Sequence, residues 1–158
     1  MKIKGIRDED FTQYKKPSMF IAFPKCDFKC EKDCGKKICQ NSQLATSDSI
    51  EITTLSIVKR YLTNPITQAI VFGGLEPFDS WTDLMRLVSL FRTKTQDDIV
   101  IYTGYDKREI ENNMLRYLRA YRNIIVKFGR FVPDQKPHYD EVLGVNLASP
   151  NQYAERIS

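Results

Sequence analysis

The chain has 158 residues, of which 42% are hydrophobic and 28% are charged, and its formal net charge is +4. This length suits one domain, and this composition excludes an intrinsically disordered chain. The charge is mild and both signs are mixed along the sequence, so we expect no nucleic-acid-binding surface.

The sequence contains no candidate membrane or export segment. No apolar run approaches the roughly 20 residues that cross a bilayer, and the N-terminus lacks the apolar core of a signal peptide. We therefore expect a cytoplasmic protein with no membrane partner. In that compartment disulfides are rare, and clustered cysteines indicate a metal or redox site.

The first half of the chain predicts buried strands around a polar loop. Ile3 and Ile6 can support a short edge strand, and Met19 to Phe23 is an apolar run that ends at a proline. Residues 25–43 have no period and indicate a loop. Thr53 or Thr54 can cap a helix, and a second buried strand follows at residues 69–72. The apolar positions of that helix are Leu55, Val58, Tyr61 and Leu62.

The second half continues the alternation of helix and strand. Asp79 or Ser80 can cap a helix whose apolar face is Leu84, Leu87, Val88 and Phe91. A strand at residues 99–102 precedes a helix that Asp106 opens, and a fourth strand covers residues 124–128. The inward positions of the Asp106 helix are Ile110, Met114, Tyr117, Leu118 and Tyr121. A further short strand is possible at residues 142–147.

This alternation predicts an α/β fold with a mostly parallel sheet and a site at the C-terminal ends of its strands. A complete (β/α)₈ barrel needs about 250 residues. The chain can therefore supply only a partial barrel.

All four cysteines lie within one short polar segment, as Cys26, Cys30, Cys34 and Cys39. Such a thiol cluster binds soft metals. Structural zinc usually uses two cysteine pairs with a longer spacer, so the compact spacing favours an iron–sulfur cluster over zinc. Five lysines lie between residues 25 and 37, and their charge is expected to lower the thiol pKa values.

A glycine-rich turn follows the second buried strand, in the sequence Gly73-Gly74-Leu75-Glu76-Pro77. Glycine lets the backbone approach a ligand closely. Taken alone, this turn is weak evidence for a site, because strand-to-helix turns often contain glycine.

Together, a Cys-x3-Cys loop after the first core strand and a Gly-Gly-x-Glu-Pro turn after the next resemble the radical S-adenosylmethionine superfamily. The chain resembles most closely the activating proteins of anaerobic ribonucleotide reductase. Three further segments carry this resemblance, which runs from about residue 20 to residue 152: Tyr102-Thr103-Gly104-Tyr105, Gly129-Arg130-Phe131 and Ser149-Pro150-Asn151-Gln152.

The resemblance implies a 4Fe–4S cluster on Cys26, Cys30 and a third cysteine. The usual motif is Cys-x3-Cys-x2-Cys, and this chain departs from it. Cys34 is one candidate for the third ligand. We prefer Cys39, because Cys39-Gln40-Asn41 matches the Cys-x-Asn of that family, which implies an insertion near residues 31–36. Phe128 stands where many relatives carry an acid.

The resemblance also implies the second cofactor and its site. In a single radical S-adenosylmethionine domain over residues 1–158, the cluster binds S-adenosylmethionine and cleaves it to a 5′-deoxyadenosyl radical. The glycine turn would meet the methionine moiety, and the next strand end would line the ribose or adenine. The residues implied for this site are Gly73, Gly74, Glu76, Pro77, Tyr102, Thr103, Gly104 and Asn151, with Gln152 beside the last.

The function implied is an oxidoreductase that generates a glycyl radical on an anaerobic ribonucleoside-triphosphate reductase, with an external electron donor. One alternative keeps the chemistry but acts on another glycyl-radical enzyme, a small molecule, a peptide or RNA. Another alternative is a non-catalytic zinc or iron–sulfur module that uses all four cysteines.

Overall fold

The computed structural model describes residues 1–158 and contains ten β-strands, five α-helices and one 3₁₀ helix. The strands are β1 (Lys2–Ile3), β2 (Gly5–Asp10), β3 (Ser18–Phe23), β4 (Ile50–Glu51), β5 (Ala69–Gly74), β6 (Asp98–Tyr102), β7 (Ile124–Phe128), β8 (His138–Asp140), β9 (Val145–Leu147) and β10 (Tyr153–Arg156). The helices are α1 (Lys29–Cys34), α2 (Ser42–Thr46), α3 (Thr54–Leu62), α4 (Trp81–Arg92) and α5 (Asn112–Arg119), and the 3₁₀ helix is Pro77–Ser80. No helix is both long enough and apolar enough to cross a bilayer.

A six-stranded mixed sheet forms the centre of the fold, in the order β10-β7-β6-β5-β3-β2. The four inner strands β3, β5, β6 and β7 are parallel, whereas the edge strands β2 and β10 run antiparallel to their neighbours. The small pairs β1-β4 and β8-β9 lie outside this sheet. The C-terminal ends of the parallel strands therefore meet at one edge. The closure of this sheet into a partial barrel stays a prediction.

Helices α3, α4 and α5 cover one face of the sheet. Alternate strand residues point to this face, as the two-residue period of a strand requires. The helical residues buried against it are Ile57, Val58, Tyr61, Leu84, Leu87, Val88, Phe91, Leu115 and Leu118. The predicted apolar face of α4 is thus confirmed.

The opposite face is covered by the segment after β2 and by part of the C-terminal tail, and no helix packs there. Tyr14, Leu143 and Leu147 pack there on Val71 and other buried strand residues. The sequence predicted one short strand in this tail, at residues 142–147, and the structure contains β8, β9 and β10. This second layer forms one wall of the site described below.

Several local predictions are wrong at their boundaries. Residues 25–43, predicted as a loop, contain the short helix α1 and the first two residues of α2. Thr53 caps α3 as predicted, by accepting a hydrogen bond from Ser56 N. However, Leu55 and Leu62 are 63% and 49% exposed, because the buried face of α3 is centred on Ile57 and Val58.

The helix predicted from Asp106 begins only at Asn112. The Asp106 N–H donates to the Glu109 carboxylate and the Glu109 N–H donates to the Asp106 carbonyl, so these residues form a separate turn. Tyr117, predicted inward, is 54% exposed. Before α4, neither predicted cap holds: Ser80 occupies the cap position without a side-chain hydrogen bond, and Asp79 lies in the 3₁₀ helix.

Candidate functional site

A cavity of about 360 Å³ lies at the C-terminal ends of the four parallel strands. Its walls come from the segments that follow β3, β5, β6 and β7, with residues 145–148 of the tail on the other side. Most of the residues that the sequence selected for function meet here.

Three of the four cysteines line this cavity, namely Cys26, Cys30 and Cys39. Cys34 does not. It lies at the end of α1, is exposed, and its thiol contacts the carbonyl oxygens of Glu31 and Lys36 at 3.7 Å and 3.4 Å. The folded loop therefore separates the two candidates for a third ligand.

Local hydrogen bonds hold the cysteine loop in place. Phe28 adopts a left-handed conformation (φ 54°), and its N–H donates to Cys26 Sγ at 3.3 Å. Glu31 Oε1 accepts a hydrogen bond from Cys39 N. Asn41 Nδ2 donates to the carbonyl oxygen of Gly74 at 2.7 Å, which connects the end of this loop to the glycine turn.

The predicted lowering of the thiol pKa values by lysine is wrong for two of the cysteines. Burial raises the pKa of Cys26 to about 12, and the carboxylates of Glu76 and Asp79 act in the same direction. Burial also raises the pKa of Cys30, and the neighbouring Cys39 adds to this effect. Desolvation is the largest influence on both thiols and outweighs the nearby lysine charges. Bound metal would hold these thiols as thiolates.

The glycine turn is required by the packing of β5 against β3. Gly74 has φ +87°, and a Cβ there would lie 2.7 Å from the Cα of Ala22. A Cβ on Gly73 would meet the ring of Phe20 at 3.0 Å. Both glycines line the cavity. Because they have no side chain, a ligand in the cavity can contact their main-chain atoms directly.

Glu76 connects this turn to the end of β6. Its carboxylate accepts hydrogen bonds from Phe78 N at 3.1 Å and Gly104 N at 2.8 Å. Burial raises its pKa to about 7 despite these two donors. Both oxygens are thus already bound by backbone N–H groups of the protein.

The residues after β6 line the same cavity. The Tyr102 hydroxyl donates to the Gln13 carbonyl at 2.5 Å, and burial raises the pKa of this phenol. Thr103 Oγ1 accepts from Tyr105 N, while the Tyr105 hydroxyl donates to Asp79 at 2.6 Å. Tyr102 therefore lines the cavity with its hydroxyl already bound to a main-chain carbonyl.

Two cationic side chains of the site were not selected from the sequence. Lys127 is 6% exposed. Its ammonium donates one hydrogen bond within the protein, to the Gly129 carbonyl at 2.6 Å. Burial lowers its pKa to about 8. Arg130 also lines the cavity and forms ion pairs with Asp33 and Glu109 at 3.1 Å and 2.5 Å. Arg130 appeared only within the Gly-Arg-Phe resemblance, and a lysine inside an apolar strand was the one available signal for Lys127.

Two predicted site residues do not line the cavity. Pro77 is buried as the first residue of the 3₁₀ helix. Asn151 donates from Nδ2 to the Arg130 carbonyl at 2.9 Å, whereas the adjacent Gln152 does line the cavity. A Cβ added to Gly129 would lie only 2.5 Å from the main-chain carbonyl oxygen of Asn151, so this position requires glycine.

Comparisons with known proteins give one result. A family model described as a 4Fe-4S single cluster domain matches residues 17–149. No curated protein and no solved structure matches the chain significantly. The matched range contains all four cysteines, the glycine turn and the strand ends that form the cavity.

Proposed function

The chain belongs to the family of 4Fe-4S single cluster domains, and from this premise we propose that it cleaves S-adenosylmethionine reductively at a cluster held by Cys26, Cys30 and Cys39. The observation that carries the proposal is the common cavity. Three thiols and the glycine turn line it together, and Cys34 lies outside.

The donor set fits a 4Fe–4S cluster with one iron left for a ligand. Thiolates are the usual protein ligands of such clusters, and a fourth protein thiolate would close the position that S-adenosylmethionine needs. The Asn41 hydrogen bond to Gly74 orients the segment after Cys39 toward the glycine turn. This contact supports Cys39 over Cys34.

The cluster, when bound, supplies one electron to the sulfonium of S-adenosylmethionine, which releases methionine and a 5′-deoxyadenosyl radical. The chain's own residues bind and orient the ligand. Gly73 and Gly74 offer backbone groups to the methionine ammonium. Glu76 acts as a positioning residue, because its carboxylate accepts a 2.8 Å hydrogen bond from Gly104 N and so connects the glycine turn to the end of β6.

Lys127 is the residue we propose for the anionic end of the ligand. S-adenosylmethionine carries one carboxylate. The Lys127 ammonium has a single partner in the protein, so two of its three N–H donors are free, whereas Arg130 is already paired with carboxylates. Burial strengthens a charge-assisted hydrogen bond at this position.

The cavity volume supports a protein substrate. At about 360 Å³ it is near the lower end of small-molecule pockets, about 300–1,000 Å³. The cluster and S-adenosylmethionine together would fill it, and the radical would meet its target at the mouth. We therefore propose a glycine of an anaerobic ribonucleotide reductase as the target, with another glycyl-radical enzyme, small molecule, peptide or RNA as the alternative.

The test is anaerobic reconstitution with iron and sulfide, followed by reduction and addition of S-adenosylmethionine. We expect 5′-deoxyadenosine by chromatography and a changed paramagnetic spectrum of the reduced cluster. A cluster that S-adenosylmethionine leaves unchanged, or a chain that binds zinc through all four cysteines, would favour the non-catalytic module. Adding candidate reductases then distinguishes the targets by their glycyl radical signal.

A further inference from the structure

In the cysteine loop, residues 25–39, the acidic side chains are bonded within the protein whereas most of the lysines are not. This loop carries three acidic residues and five lysines. The carboxylate of Asp27 accepts from Lys29 N, that of Glu31 accepts from Cys39 N, and that of Asp33 pairs with Arg130. All three acids are thus used to hold the loop.

Four of the five lysines are left to solvent. Lys29 lies over the ring of Tyr105 at 4.6 Å and 3.9 Å from Glu109. The other four are exposed and form no ion pair or hydrogen bond through their ammonium groups. They are called the lysine surface below: Lys25, Lys32, Lys36 and Lys37.

This surface surrounds the cysteines closely along the chain. Lys25 precedes Cys26, Lys32 lies two residues from both Cys30 and Cys34, and Lys37 lies two residues before Cys39. A partner that sits on these lysines is therefore held beside the metal-binding thiols and not at a remote face. Lys32 and Lys36 lie in the segment, residues 31–36, that the resemblance to the activating proteins implies to be an insertion.

We propose that the lysine surface is the docking site of an acidic protein that delivers single electrons to the cluster. The proposal rests on the proposed function in one respect, namely that the cluster must be reduced before each cleavage. All four cysteines of the chain lie in this one loop, so the chain has no second cysteine cluster that could relay the electron. One electron passes from the donor, which is oxidised, to the cluster, which is reduced, and no bond forms or breaks.

Charge complementarity favours an acidic protein as the occupant. Opposite surface charges steer encounter and orient partners, and they raise association rates at low salt. A nucleic acid is the other anionic candidate, but the formal charge of the whole chain is only +4, and tight phosphate-backbone binding uses about 6–10 cationic contacts. Four lysines around a redox site suit a transient protein contact better.

The test measures cluster reduction in the absence of S-adenosylmethionine. The cluster-loaded chain is mixed with a reduced acidic ferredoxin in a stopped-flow instrument, and loss of cluster absorbance is followed at low and high salt. The variant is Lys32→Glu/Lys36→Glu. Its matched control is Lys59→Glu/Lys94→Glu, which makes the same change in net charge at exposed positions outside the loop, in α3 and just after α4. Reduced methyl viologen, a small cation, serves as the second reductant.

We expect the second-order rate constant with ferredoxin to fall about tenfold or more in the loop variant at low salt, and the difference to vanish at high salt. The control should keep its rate, and reduction by methyl viologen should not slow. Equal rates for the loop variant and the native chain, or an equal loss in the control, would overturn the proposal. So would a loop variant that binds a single-stranded oligonucleotide more weakly than the native chain, by fluorescence anisotropy, while it keeps the native reduction rate.

Failure of the proposed function has a different signature. If the lysine-dependent reduction is observed and no 5′-deoxyadenosine forms, only the cleavage of S-adenosylmethionine is contradicted. Iron content of each variant, measured beforehand, separates slow reduction from poor cluster loading.

Discussion

Asn41 donates a 2.7 Å hydrogen bond from its side-chain amide to the main-chain carbonyl of Gly74. The two residues are 33 positions apart in the sequence. One ends the cysteine loop and the other ends β5, so this bond connects the cysteine wall and the glycine wall of the cavity. Its loss should loosen the ligand site before it affects the metal.

Asn41→Ala should therefore keep the full iron content and bind S-adenosylmethionine more weakly. A neutral hydrogen bond contributes about 0.5–1.5 kcal/mol, which corresponds to about tenfold or less in affinity. Equilibrium dialysis with the loaded protein measures the change. Asn64→Ala, which removes a side-chain contact to Glu9 far from the cavity, is the control. Unchanged affinity in Asn41→Ala would contradict this role.

Serine replacement separates the two candidate ligands. Cys39→Ser should lose most of its iron after reconstitution, because Cys39 lines the cavity. Cys34→Ser should reconstitute as the native chain does, because its thiol is exposed and contacts only backbone carbonyls. Iron and sulfide analysis gives the result. The reverse pattern would make Cys34 the third ligand.

Gly74→Ala should destabilise the protein by several kcal/mol. A positive φ costs a non-glycine residue about 1–3 kcal/mol, and the added Cβ would lie 2.7 Å from the backbone of Ala22, which cannot move without displacing β3. Chemical denaturation measures the loss. Gly5→Ala is a fair comparison, because a Cβ at Gly5 meets nothing within 4 Å, and a similar loss there would refute the steric explanation.

Glu76 should make the stability of the cluster-free chain depend on pH. Its folded pKa of about 7 lies above the ordinary value of 4.5. Its contribution is therefore fully present below about pH 4.5 and is lost as pH rises toward 7, with a magnitude on the order of 3 kcal/mol. Urea unfolding across this range should show that Glu76→Gln removes the slope. Glu51→Gln, at a side chain 80% exposed, should leave it in place.

Lys127→Met should separate ligand binding from folding. Methionine occupies a similar volume without the cost of a buried charge, so we expect stability equal to the native chain or higher. Loss of a charge-assisted hydrogen bond of about 1.5–3 kcal/mol should weaken S-adenosylmethionine binding about 10- to 100-fold. Native affinity in a folded Lys127→Met would exclude Lys127 from the carboxylate site.

Helices and strands were predicted correctly from the sequence where a single feature, such as the spacing of apolar residues, determines the local structure. Leu84, Leu87, Val88 and Phe91 define the buried face of α4 through spacing alone, and Thr53 caps α3 because a threonine before an apolar period has few other roles. The four parallel strands were predicted from short apolar runs, since strands buried on both faces are apolar throughout.

The errors arise where several local interactions compete. Asp106 was a plausible helix cap, yet the turn it forms with Glu109 delays α5 to Asn112. Lys127 was not selected, because its apolar neighbours indicate a buried strand and only the packed sheet shows that this residue lines the cavity. The thiol pKa values depend on burial, which the nearby lysines in the sequence did not reveal.

The main core contains no side chain from residues 24–49, although this segment is the first part of the connection between the neighbouring strands β3 and β5. Opening residues 24–49 would break few apolar contacts of the main core, so we expect this segment at the low-energy end of the fluctuations that hydrogen exchange detects. The strands can pair and the helices can pack before any iron arrives. We therefore expect metal insertion to be a late event on a folded scaffold, so that a damaged cluster is removed and replaced while the sheet stays intact.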